Sequence, residues 1–255
     1  MMPTPIREIA KLIDHALLHP TLTDAELRAG CELALAYNVA SVCIKPYAVS
    51  MASERLAESD VLVGTVIGFP HGSNSISLKV AETIQACRDG AVEIDMVVNI
   101  GKVLSEDWTY VKAEIQAVHE TCRAHRAILK VIFETDFLPT DSLKIRLCEI
   151  CTDVGVEFVK TSTGFGFVKG PDGKYDYVGA TEHDLQLMRK HVGPMVQVKA
   201  SGGIRTLTEL LRVKDMGVTR VGTSSTASIV TEAYQRFGYT TSPLLRASQS
   251  ETKGY

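Results

Sequence analysis

The stretch EFVKTSTGF, residues 157–165, decides how the chain is read. A run of strand-forming residues ends on Lys160, and hydroxyl residues and a glycine follow at once. A lysine in a packed apolar element is costly unless it is paired or has lost its proton. The same layout returns in VQVKASGGI, residues 196–204, where Lys199 closes an apolar run before small residues and two glycines. Each stretch has the form of a strand that runs into a loop through a lysine.

Working outward from these two, β-rich runs lie in all at 12–17, 39–44, 61–67, 92–98, 128–133, 156–160, 195–199 and 218–222. Segments with helical spacing separate them, at 24–37, 76–88, 107–125, 140–154, 181–192 and 206–216, with a last one starting near 224. Alternation of strand and helix implies a parallel sheet with helices outside it. Eight strands in 255 residues are the accounting of a (β/α)8 TIM barrel. A short N-terminal helix precedes the first strand, LIDHAL, which is brief enough to read as that helix continued. A doubly wound sheet would offer a Gly-rich fingerprint after its first strand, and the chain has none there. The expected organisation is one barrel domain over 1–238 and a polar tail over 239–255.

Composition sets limits on function. The chain is 45% hydrophobic and carries a formal net charge of −3. That balance argues against nucleic acid or an anionic membrane as partner and leaves room for a local anion pocket. No apolar run has the length of a bilayer span, and the first residues lack a secretory apolar segment. Six cysteines scattered through the predicted elements fit reduced thiols in a cytoplasmic protein.

In a barrel, the residues at the strand ends build the active site. Those positions hold Asp14, Cys43 and Lys45, the turn Gly68–Gly72, Asp95, Asn99, Glu134, Lys160, Lys199 and Gly222-Thr223-Ser224-Ser225. A lysine amine attacks a carbonyl only when unprotonated, so its pKa must fall from about 10.4 to near neutrality. Desolvation and a neighbouring cation achieve that. Lys160 and Lys199, on adjacent strands, fit as nucleophile and cation, and spacing leaves open which is which. Asp95 would move protons at the bound substrate. Gly202-Gly203 and the Gly222–Ser225 turn follow strands seven and eight, the common place for a phosphate in barrels. The turn through Thr161 and Gly164 adds donors beside them. The expected ligand is a phosphorylated sugar or aldehyde.

VKTSTGF, VKASGGIR, EIDMVVN, IDHALLHP and the GFPHG turn stand in order across residues 8–235. Together they resemble the deoxyribose-phosphate aldolase family of class I aldolases. The resemblance implies a lyase that cleaves 2-deoxy-D-ribose 5-phosphate reversibly to D-glyceraldehyde 3-phosphate and acetaldehyde, as a homodimer, without metal or other cofactor. It makes Lys160 the Schiff-base lysine, Lys199 the cation that lowers its pKa and Asp95 the proton donor and acceptor. Asp14, Cys43, Thr161, Gly164, Gly202, Gly203, Gly222, Thr223 and Ser224 are the expected substrate contacts. Tyr255, at the end of the tail, is a candidate proton relay, with a disordered terminus as the alternative.

Three features depart from the family's pattern. Ala16 replaces the usual threonine after IDH, and His19 stands where a lysine is frequent. The segment 168–181 is long, and forms either a lid or a surface hairpin turning at Pro171-Asp172-Gly173. These motivate two alternatives: an aldolase for another phosphosugar, or a barrel that binds a phosphosugar without catalysis. Lys45 is the rival nucleophile, and a rim residue favouring phosphate is its preferred reading. Lys130 and Glu93 fall inside the barrel by alternation and are expected to form a structural ion pair with Arg220. Cys148 and Cys151 read as helix core. His119, Cys122 and His125 spread too far around their helix for one metal ion.

Overall fold

Strand β1 (Ile13–Leu17) follows helix α1 (Thr4–Ala10) after a short turn, so the first strand and the N-terminal helix are separate elements. The computed structural model describes residues 2–239. In chain order come α2 (Asp24–Tyr37), β2 (Ser41–Ile44), α3 (Val49–Leu56), β3 (Leu62–Ile67), α4 (Ile76–Arg88), β4 (Glu93–Val97), α5 (Ile100–Leu104), α6 (Trp108–Ala124), β5 (Ile128–Ile132) and α7 (Asp141–Val154). They are followed by β6 (Phe158–Lys160), β7 (Val168–Lys169), β8 (Tyr175–Asp176), α8 (Glu182–His191), β9 (Gln197–Ser201), α9 (Leu207–Asp215), β10 (Val218–Thr223) and α10 (Thr226–Arg236). Eight strands close into a parallel barrel in the order β1-β10-β9-β6-β5-β4-β3-β2. The expected (β/α)8 barrel is the observed one.

Local chemistry sets the helix ends. Thr23 and Glu26 form a reciprocal capping box at the start of α2, and Thr206 and Glu209 do the same for α9. Asn38 and Gly155 end α2 and α7 in the left-handed conformation. Helix α3 has no side-chain cap, which is why the sequence offers little punctuation for it.

Every second strand residue points outward under the helices. Ile13, Leu17, Val42, Ile94, Leu129, Val131, Val159 and Val198 belong to this buried layer. Each contributes about 1.5–3 kcal/mol on leaving water. Gly30 lets α2 approach β1, since a Cβ there would lie 2.3 Å from Leu17 Cδ2. The inward residues are of another kind: Asp14, Glu93, Asp95, Lys130, Lys160, Lys199 and Arg220 meet inside the barrel.

The long segment after β6 is a two-stranded antiparallel hairpin, β7–β8, exposed on the barrel's surface. Among the described residues, no helix is long and apolar enough to cross a membrane. Tyr255 and nearly all of the tail lie outside the described residues.

Candidate active site

Lys160 and Lys199 face each other in register across β6 and β9. Both reach the same oxygen: each Nζ lies 2.8 Å from Asp95 Oδ2. Lys199 also donates to Asp14 Oδ2 at 2.5 Å. Below them Lys130 pairs with Glu93 at 2.5 Å and with Asp14 and Asp95 at 3.1 Å. Arg220 reaches Asp14 and Glu93, each at 2.6 Å. The expected pairing of Lys130, Glu93 and Arg220 is thus present, and it continues upward into the two lysines.

The seven charges do not balance. Among the described residues, four cations share three carboxylates, and each carboxylate is deeply buried. Lys130 contacts all three carboxylates, while Lys199 and Arg220 contact two each. Among the described residues, Lys160 pairs with Asp95 alone. A buried network with one excess positive charge relieves itself most readily by losing a proton at its least compensated cation.

The pKa directions follow that logic. Burial pushes Lys160 down, Asp95 resists, and the neighbouring Lys199 charge adds to the fall. Burial acts equally on Lys199, yet Asp14 and Asp95 overcome it and hold its pKa above the ordinary value. Burial would also protonate Asp95, but Lys130, Lys160 and Lys199 keep it ionised far below the usual carboxylate range. The arrangement provides an amine whose proton is held less tightly than usual beside an ammonium held more tightly, with a carboxylate between them.

A cleft opens above the lysines. Asp14, Cys43, Lys160, Gly164, Lys199, Gly202, Gly203, Gly222, Thr223 and Ser224 all line it. Asp95 lies beneath, wholly buried. Thr161 is not among the lining residues; its hydroxyl donates to Ser201 O and accepts from Ser201 N–H, tying β6 to β9. The Thr223 hydroxyl is likewise engaged, donating to Ile204 O at 2.7 Å. Gly202 and Gly203 have φ of +92° and +84°, a left-handed pair that only glycine adopts without strain. The Gly222–Ser225 turn leads into the N-terminus of α10. Backbone donors and a helix N-terminus therefore gather at one side of the cleft, where an anion is favoured.

Lys45 is placed differently from the expectation. It turns away from the cleft and donates to the carbonyls of Pro20 and Leu22, at 3.1 and 2.8 Å. It serves as a strut for the loop after β1. Cys43 lines the cleft as a thiol whose pKa burial pushes up to about 11. Its Sγ stands 3.9 Å from Asp95 Oδ2. Glu134, just beyond β5, takes the left-handed conformation, φ 57°, and its carboxylate accepts from the Thr163 backbone and hydroxyl. It thereby shapes the turn after Lys160. Cys148 and Cys151 are buried on α7.

Sequence reasoning assigned no role to Ser201, Arg205 or Tyr177, all of which line the cleft. Ser201 and Arg205 flank the Gly202-Gly203 turn and were within reach of motif reasoning. Tyr177 belongs to the long segment after β6, whose path no local pattern specifies.

A parallel barrel with a lysine of lowered pKa at its mouth, beside a lysine of raised pKa, is the apparatus of a class I, Schiff-base aldolase. Residues 8–228 match the family model described as DeoC/LacD family aldolase. A deoxyribose-phosphate aldolase of Rhodopirellula baltica is 47% identical over 248 residues, 97% of each chain. One from Caldanaerobacter subterraneus is 46% identical over 228 residues, 89% of this chain and 94% of that one. Among solved structures, the tetrameric deoxyribose phosphate aldolase of Aeropyrum pernix superposes with a TM-score of 0.79 at 26% identity, covering 91% of this chain and 93% of that one. The aldolase QR15 superposes at 0.81 with 35% identity, over 91% and 99%. The chain belongs to the DeoC/LacD aldolase family.

Proposed function

We propose that the chain cleaves 2-deoxy-D-ribose 5-phosphate to D-glyceraldehyde 3-phosphate and acetaldehyde, reversibly, through a Schiff base on Lys160. The observation that carries this reading is the charge imbalance, which among the described residues leaves Lys160 with Asp95 alone and its pKa lowered. The neutral amine adds to the aldehyde carbon of the open-chain sugar, and loss of water gives an iminium. Removal of the C3 hydroxyl proton breaks the C2–C3 bond. The bonding pair moves into the iminium to form an enamine, and C3 leaves as the aldehyde of glyceraldehyde 3-phosphate. Protonation of the enamine carbon and hydrolysis release acetaldehyde and restore the amine.

Asp95 is ionised at rest, so it accepts a proton before it gives one. Lys199 keeps its charge throughout and holds the field that favours the free amine. The phosphate sits at the Gly202-Gly203 and Gly222–Ser225 turns, with the Arg205 guanidinium at the rim. The iminium supplies the electron sink, so the chemistry requires no metal or other cofactor. The six free cysteines support a reducing, cytoplasmic setting. A homodimer is the expected assembly, as the resemblance implies.

Borohydride trapping with acetaldehyde, read by peptide mass spectrometry, tests the proposal. A two-carbon adduct on Lys160 is expected. An adduct on Lys199 overturns the assignment of roles, and no adduct on folded protein removes the Schiff-base reading. Ala16, an apolar residue on the cleft wall where the family has threonine, favours a second reading in which another phosphosugar is preferred. Comparing turnover of deoxyribose 5-phosphate with that of ketose phosphates separates the two.

A further inference from the structure

The hairpin after β6 is surface-exposed, yet its return arm is fixed to the Gly202-Gly203 turn. Gly179 lies so close to Gly202 that a Cβ on it would meet Gly202 C and O at 2.8 Å. Ala180 N–H donates to Gly202 O at 3.2 Å. A Cβ on Gly203 would lie 3.6 Å from Val178 O, and one on Gly202 would lie 3.5 Å from the Tyr177 ring. Phe167, on the outgoing arm, braces that ring edge-on at a centroid distance of 5.4 Å.

A second anchor comes from the far side. The Asp136 carboxylate, in the turn after β5, accepts from Val178 N–H at 2.6 Å and from Gly179 N–H at 3.0 Å. Two separate loops of the barrel thus fix the backbone immediately after one residue, Tyr177. That residue is half-buried and presents its side chain to the cleft, beside Gly202, Gly203 and Arg205.

We propose that Tyr177 is a specificity-determining residue, and that the hairpin is the arm that holds it as a wall over the phosphate end of the cleft. An aromatic ring there excludes water from the contact between an anion and the backbone donors of the Gly202-Gly203 turn. Excluding water strengthens that contact, because the interaction grows as the local dielectric falls. The ring also sets the length of substrate that fits between Lys160 and the turn. The ligand class selected is a short aldose carrying a terminal phosphate monoester. The inference rests on the Schiff-base reading above.

The test compares deoxyribose 5-phosphate with unphosphorylated 2-deoxyribose in the wild type, Tyr177→Ala and Asp136→Ala. Tyr177→Ala is expected to raise KM for the phosphorylated sugar about tenfold, with kcat within about twofold, since binding common to ground and transition states is lost. Its kcat/KM for 2-deoxyribose stays within about twofold of wild type. Asp136→Ala, which releases the arm, shifts KM in the same direction by a smaller factor. An unchanged KM for the phosphorylated sugar in Tyr177→Ala, or equal losses on both sugars, overturns the proposal. Acetaldehyde trapping on Lys160 accompanies each assay. Intact trapping with an unchanged KM ratio rejects the role of Tyr177 alone, whereas failed trapping in the wild type rejects the reading on which it rests.

Discussion

Replacing Lys199 by methionine removes one charge and keeps most of the side chain's length. The two lysine Nζ atoms lie no farther apart than twice the 2.8 Å that each keeps to Asp95 Oδ2. At an effective dielectric of about 20, two like charges at that limit repel by about 3 kcal/mol. That energy corresponds to about two pH units in the Lys160 pKa. The sign follows from the chemistry: a neighbouring cation disfavours the protonated amine, so removing it raises the pKa and depletes the nucleophile. Asp95 adds to the change, because its charge then falls on Lys160 without Lys199 to share it.

Below the original pKa, the free-amine fraction of Lys199→Met falls about a hundredfold, and the loss shrinks as the pH rises towards the new pKa. The assay is the pH profile of kcat/KM between about 6 and 10, with acetaldehyde trapping followed in parallel. The acidic limb is expected to move upward by about two pH units, with much of the rate regained near its alkaline end. Lys199→Arg, which preserves the charge, keeps the limb in place even where its bulk lowers the rate. A uniform loss across the range would refute the reasoning, since Lys199 would then act by contact and not through the Lys160 proton.

Two further outcomes follow from particular residues. His15 is fully buried with Nδ1 2.9 Å from Thr226 Oγ1, and burial lowers its pKa to about 4. The unfolded chain takes up that proton near pH 6.5 and the folded chain only near 4, so this stability is full above about 6.5 and is lost on going down to about 4. The loss is about 3 kcal/mol. Urea titrations at several pH values measure it, and an equal slope in His15→Gln would exclude His15 as the cause. Gly222→Ala places a Cβ 2.9 Å from Ser201 Oγ and 3.2 Å from Lys199 Cε, which displaces the ammonium. We expect kcat/KM to fall at least about tenfold at little cost in Tm, because small misplacements at a reacting centre are expensive. Unaltered kinetics would show that the site absorbs the methyl group.

The barrel was legible because its strands announce themselves. Apolar runs of the right length alternate with helical spacing, and β6 and β9 both carry a lysine at or near their C-terminal end, followed by small residues. The hairpin was less so: its turn residues were visible, but its position depends on Asp136, a carboxylate in another loop. Lys45 misled for a different reason. Strand alternation puts it on the face of Cys43, but β2 ends at Ile44, and beyond a strand's end alternation no longer governs direction.

The assignment of the nucleophile shows where sequence reasoning stops. Lys160 and Lys199 sit in equivalent contexts, in register on neighbouring strands and bonded to one oxygen of Asp95. Nothing local distinguishes them, which is why spacing left the choice open. The asymmetry comes from across the barrel: Asp14, on the first strand, reaches Lys199 and not Lys160. Asp14 is in turn held by Lys130 and Arg220, so it stays ionised and keeps Lys199 charged. The lysine that lacks this second carboxylate is the one whose proton is cheapest to remove. The chemical difference between the two amines is therefore a property of the closed barrel, created when β1 is brought between β2 and β10.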